Sequence, residues 1–241
     1  AFSLLAGLTA SQPQLFGLLI TNTLIVLGGL MFFMGGRILA PLLASFWLAR
    51  KQRRPSRIQP EIEKLVLLLL GLALVMNSLP LSWQLSSLVG VTLLAAGVLT
   101  WVRILRWQPW QFWPSKDLVF LFLGYSFLAT GLVFLGLQNW WLTASLLASH
   151  SLLVGAMALL MLVVMARVSQ IKAFKELKYA KTLNLGAGLI LIAASARLAA
   201  ALLPNAYLGL LHLALASWVA GFLVLAVLLL KCNKAPIKKA T

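Results

Sequence analysis

Acidic side chains are nearly missing from this sequence. Glu61, Glu63, Asp117 and Glu176 are the four, set against twenty lysines and arginines in 241 residues, for a formal net charge of +16. All four lie in or beside basic connecting segments. No carboxylate is therefore placed inside an apolar run to relay protons or to form a transporter's cation site. Cysteine is restricted to Cys232, after the last apolar run. A lone cysteine excludes an intramolecular disulfide and reads as an incidental juxtamembrane thiol. Histidine occurs twice, at 150 and 212. There is no P-loop, H-E-x-x-H, C-x-x-C or G-x-S-x-G, which sets aside hydrolase and nucleotide-driven pump readings.

Apolar residues are what the chain has. They make up 62% of it, charged residues only 10%, and mean hydropathy is +0.99. A soluble domain of this length could not bury so much apolar surface, so the lipid bilayer is the expected partner. The positive charge could suggest nucleic acid, but the cations sit at the ends of apolar runs and not on one face, so no nucleic-acid partner is expected. The opening Ala1-Phe2-Ser3-Leu4-Leu5-Ala6-Gly7-Leu8 lacks both methionine and a basic region. It reads as the tail of a preceding helix and not as a signal peptide, which predicts a piece of a longer protein.

The fold class expected is all-α, a polytopic membrane bundle forming a single membrane domain over 1–241. Spans are predicted at about 15–36, 64–80, 83–103, 117–137, 144–167, 183–203 and 206–230, with a basic tail at 231–241. Past Arg37 the apolar pattern continues to Trp47, and its glycines, arginine and Pro41 predict a kinked or broken extension. Trp107, Trp110 and Trp113 alternate with arginine and proline, and read as an interfacial aromatic belt. The connections at 50–64, 103–116, 167–181 and 231–239 are basic, whereas those at 80–83, 138–143 and 203–206 carry no Lys or Arg. The alternation predicts basic loops and C-terminus in the cytoplasm.

Depth can then be compared between helices. His150 lies six residues from Ala144, about 9 Å into its span at 1.5 Å per residue. His212 is six residues from Ala206, and Arg197 six before Leu203. Asn22 and Asn77 fall in the same outer layer. Arginine in lipid costs about 2.5–3.5 kcal/mol even on lenient scales, so these groups are expected to face the bundle interior and one another. His150 could ligate iron or copper, or be a hydrogen-bonded packing residue. At about 100° per residue, Val154, Met157, Met161 and Met165 share its stripe, and Gly155 and Ala158 allow close helix approach. Those thioethers could meet Cu(I) or simply fill irregular space. Arg197 suits a bidentate anion such as a haem propionate, or pairs with carbonyls or the asparagines. Arg37 and Arg167 are most simply anchors. The case for His212 depends on its meeting His150.

Ser149-His150-Ser151-Leu152-Leu153-Val154-Gly155-Ala156-Met157, continuing to Met165-Ala166-Arg167-Val168-Ser169, resembles the H-x-L-x-V-G-A-M…M-x-R-V-S signature of the NnrS family. Gly35-Gly36-Arg37-Ile38-Leu39-Ala40-Pro41 is similar to its G-G-R-x-I-P element, with one extra residue before the proline. Leu123-Gly124-Tyr125 with Gly131-Leu132 resembles its H-L-G-Y…G-L helix, with Phe122 where histidine is common. Arg197-Leu198-Ala199 through Leu203-Pro204 resembles its R-x-x-A-x-L-L-P end. The family's N-terminal half, which holds a further histidine- and glutamate-containing motif, has no counterpart here.

The resemblance implies a bacterial inner-membrane protein containing haem and copper and acting in the response to nitric oxide. It implies His150, Gly155 and Met157 as signature residues, with Arg37, Arg167 and Arg197 as the family's arginines. The expected site is then His150 as first metal ligand and His212 as second, with Arg197 and Met157 beside the cofactor. Haem and copper are the cofactors so implied, completed by the family's N-terminal half or another membrane subunit. A metal-free membrane scaffold and a small-molecule permease with an outer polar site remain the alternatives.

Overall fold

A computed structural model describes residues 13–49, 59–79, 86–113, 115–141 and 143–234. The segment expected to be a helix remnant, most of the basic loop at 50–57, the turn at 80–83 and the end of the tail lie outside these. The described residues form helices, and no strand occurs among them. They are α1 (Pro13–Ala49), α2 (Pro60–Ser78), α3 (Ser86–Arg106), α4 (Lys116–Leu137), α5 (Ala144–His150), α6 (Ala158–Phe174), α7 (Ala180–Leu202) and α8 (Tyr207–Asn233). Segment Ser151–Met157 between α5 and α6 is a π-helix, so Ala144–Phe174 is one continuous rod. Short 3-10 turns at Pro109–Phe112 and Pro204–Ala206 begin with proline, which suits a first helical position because it has no N–H to leave unpaired.

Six of these rods are long and apolar enough to cross a membrane among the described residues, and the chain is a multi-pass membrane helix bundle. The helix predicted at 64–80 is present as α2, but its first turn carries Glu61, Glu63 and Lys64 within only 19 residues. Those acids lie at the positive end of the helix dipole, where they are favourable. The extension after Arg37 differs from its expectation. Instead of breaking, α1 continues as helix through Pro41 to Ala49. Proline removes one helical hydrogen bond there, the one that would reach the Arg37 carbonyl, yet its fixed φ is compatible with helix. Cys232 also falls inside the last turn of α8 and is buried, not beyond the span.

Helix α4 is the centre of the bundle. It packs against α1, α3, α5, α6, α7 and the π segment, and over half of its apolar window is buried. Its sequence is apolar on every side, as a helix enclosed by other helices must be. In lipid no hydrophobic force draws helices together, so close backbone approach and packing have to do so. The α3–α4 seam shows this at Gly90 and Gly136. A Cβ on Gly90 would sit 2.8 Å from the Gly136 carbonyl, and one on Gly136 would sit 2.7 Å from the Leu94 nitrogen.

Overpacking of this kind costs typically about 1–3 kcal/mol. Gly136→Val is expected to lower the melting temperature of the detergent-solubilised protein, while Gly188→Ala, where no atom lies within 4 Å of an added Cβ, should leave it nearly unchanged. Equal melting temperatures for the two variants would remove this seam from the packing account.

Candidate functional site

The helix bearing His150 does not keep one angular register. The Ala158 amide reaches back five residues to the Leu153 carbonyl, so the backbone after His150 carries a π turn. One extra residue in a turn rotates everything beyond it by roughly 100° relative to an uninterrupted α-helix. The stripe expected from the sequence is therefore divided. His150 and Val154 turn toward α7 and α8: Val154 lines a cavity of about 280 Å³ with Arg197, Leu211, Ala214, Leu215 and Trp218. Arg197 is near enough for its charge to act on the imidazole of His150. Met157 and Met161 turn instead toward α1, where Met31 and Met34 join them along an apolar groove of about 330 Å³.

Local contacts explain why the π turn is held. The Ser151 hydroxyl donates to the Phe127 carbonyl of α4 at 2.7 Å. Gly155 lies directly on the Phe127 ring, where a Cβ would come within 2.6 Å of ring carbons. The chain thus meets α4 at one residue with a hydroxyl and at another with no side chain. No stretch of apolar letters announces such a turn, although a serine and a glycine four apart on an otherwise apolar helix are compatible with one.

The polar residues expected to share one layer are likewise not a single cluster. Asn77 donates to the Asn22 side-chain carbonyl at 2.7 Å, and Asn22 donates to the Ser78 hydroxyl at 3.2 Å. Those groups satisfy one another between α1 and α2. His150 takes no part in those bonds, and the charge that reaches it is that of Arg197 on α7. His212 is exposed on α8 and does not line the cavity beside Arg197. Arg197 is half-buried and has no hydrogen-bond acceptor or acid partner among the described residues. No group of three or more His, Cys, Asp or Glu able to hold a metal occurs among the described residues.

Sequence reasoning missed the strongest polar constellation, at the end of the bundle that carries the basic connections. Arg103, placed at the edge of a loop by its sequence, is 1% exposed. Its Nη2 donates to Glu63 at 3.0 Å and its Nη1 to the Tyr125 hydroxyl at 3.3 Å. Tyr125 in turn donates to the Phe32 carbonyl at 2.9 Å. The guanidinium lies 4.7 Å from the Phe32 ring centroid and 5.0 Å from that of Trp107, both cation–π distances. Gly36 gives it room, since a Cβ there would stand 2.6 Å from Nη2.

Trp107 is accordingly buried and takes no part in an interfacial belt, whereas Trp110 and Trp113 remain exposed. Phe122, where histidine was the family's usual residue, is buried between the rings of Phe112 and Trp107 at 5.3 and 6.2 Å. Arg167 is no free anchor either, because it pairs with Asp117 across α6 and α4. The spacing of Glu63 and Arg103, forty residues apart, gave no local signal. The one available hint was that two acids fell in the first turn of α2 in a chain with four.

Removing one partner of a buried ion pair leaves an uncompensated charge, at a cost of about 3–5 kcal/mol. Glu63→Ala is expected to destabilise the solubilised protein far more than Glu63→Gln, which keeps an acceptor for Arg103; similar melting curves for both would deny Glu63 this role.

These elements can be set beside known proteins. No curated protein and no solved structure matches the chain. A family model described as NnrS protein matches residues 1–232, which takes in the G-G-R segment of α1, the His150 rod and Arg197 of α7 alike. Over nearly its whole length, therefore, the chain belongs to the NnrS family.

Proposed function

We propose that this protein acts in the response to nitric oxide from a bacterial inner membrane, with its basic loops and C-terminus in the cytoplasm, and that His150 and Arg197 form the cofactor-facing part of its site. The observation that carries the reading is an arginine without an acid partner among the described residues, in the wall of an apolar cavity and within electrostatic reach of a half-buried histidine. Family membership supports the nitric oxide reading at the level of the class. The alternation of basic and uncharged connections supports the orientation.

The two cofactors implied by the family fit this chain differently. One imidazole is enough to ligate haem iron, and a guanidinium fork matches a propionate carboxylate. His150 and Arg197 fit those two requirements. A haem held there supplies an iron centre able to bind a small diatomic molecule. The protein's own part would be to present the imidazole of His150, to neutralise a carboxylate with Arg197, and to exclude water with Val154, Leu211, Leu215 and Trp218. A copper centre does not fit the described residues alone. Its nitrogen and sulfur donors diverge: His212 is exposed on α8, and Met157 with Met161 faces α1. A second membrane subunit, or residues of a longer chain, would have to complete such a centre.

Visible spectra of the purified protein test the assignment. The Soret band is expected to disappear in His150→Ala and to weaken in Arg197→Gln, with helix content by circular dichroism retained in both. A Soret band that survives His150→Ala unchanged would overturn His150 as ligand.

A further inference from the structure

A second cavity lies far from His150, at the bundle end that carries the basic connections. It measures about 490 Å³ and is set between α1 and α2, with Arg103 of α3 in its wall. Its cationic lining is Arg37, Lys64 and Arg103, against one carboxylate, Glu63. Gly36, Ala40 and Pro41 of α1 leave space on one side, and Leu67 of α2 gives an apolar floor on the other.

The charges are unequally committed. Glu63 is taken by Arg103 at 3.0 Å. Lys64 has only a loose, exposed contact with Glu61 at 3.7 Å, the kind of surface pair that contributes little. Arg37 has no acid partner among the described residues and is positioned over the Phe33 ring at 4.8 Å. Arg103 is held between two rings, and its buried Nε has no hydrogen-bond partner among the described residues. The cavity thus combines an excess of two positive charges with a pre-organised, incompletely used guanidinium.

We propose that this cavity binds a phosphate-bearing anion, gripped by Arg37 and Lys64 and oriented by Arg103, with Glu63 holding Arg103 in position. A phosphate suits the donors because its oxygens can accept from a guanidinium fork and an ammonium together, and its one negative charge on a diester, or up to two on a free phosphate, lies within the excess. The same group could arrive on an anionic phospholipid or on a soluble phosphate compound. The site is independent of the haem assignment, since it contains neither His150 nor any residue of the cavity beside Arg197.

The experiment uses the full chain in nanodiscs. One arm titrates inorganic phosphate into discs of neutral lipid, following binding calorimetrically. The other arm uses discs containing phosphatidylglycerol without free phosphate and counts retained anionic lipid by native mass spectrometry. Saturable binding in at least one arm is expected, and the responding arm identifies the source. Arg37→Gln, an exposed substitution away from the Arg103–Glu63 pair, should weaken that binding about tenfold or more, as loss of a charge-assisted hydrogen bond would. Lys64→Gln should weaken it further, with the melting temperature of both variants unchanged. No saturable binding in either arm, or binding indifferent to both substitutions, would overturn the proposal.

Discussion

A guanidinium enclosed by lipid-embedded helices must have its charge answered by the protein, and around Arg103 four helices are arranged to do so. Phe32 and Gly36 come from α1, Glu63 from α2, Trp107 from just past α3, and Tyr125 from α4. Between helices the hydrophobic effect is weak in a membrane, because lipid tails are as apolar as leucine. Directional contacts of this kind therefore fix which helix faces which. Tyr125 extends the network by one more bond to the Phe32 carbonyl, and its ring centroid lies 6.0 Å from that of Phe32, so α1 is tied to α4 twice over.

The rest of the bundle is joined by backbone proximity. The α3–α4 seam closes at Gly90 and Gly136, and α7 meets α8 where Gly221 faces Ile190. The rod from Ala144 to Phe174 joins α4 through Ser151 and Gly155, on the π turn. That turn decides the surroundings of the candidate site. With an uninterrupted α-helix, His150 and Met157 would share a face. With the extra residue, His150 looks to Arg197 and the methionines look to α1. A nitrogen donor and a row of sulfur donors are thus kept apart by a single feature of the backbone.

What the sequence made legible was the part set by the solvent. Runs such as 117–137 and 206–230 are helices because no other structure satisfies the backbone in lipid, and α4 and α8 follow them within a few residues. Pairings at long range were not legible. Arg103 looked like the first cation of a loop, Trp107 like a belt residue, and Asp117 like an acid beside a basic loop; each is instead taken into a contact made with another helix. The polar residues expected to share one layer do not form one cluster, because a layer follows from counting residues whereas angle depends on every turn being α. Asn77 bonds Asn22 between α1 and α2, whereas His150 of the rod feels Arg197 of α7.

The length of α1 has a mechanical consequence. Its 37 residues rise about 55 Å, against a hydrocarbon thickness of about 30 Å. A rod so mismatched must either lean steeply or stand proud of the bilayer. The stretch from Arg37 to Ala49 is the surplus, and it begins at the proline-bearing turn beside the basic cavity. Changes in bilayer thickness would therefore be transmitted along α1 as leverage on that cavity's wall, making the host membrane itself a variable in how the far end of the protein is shaped.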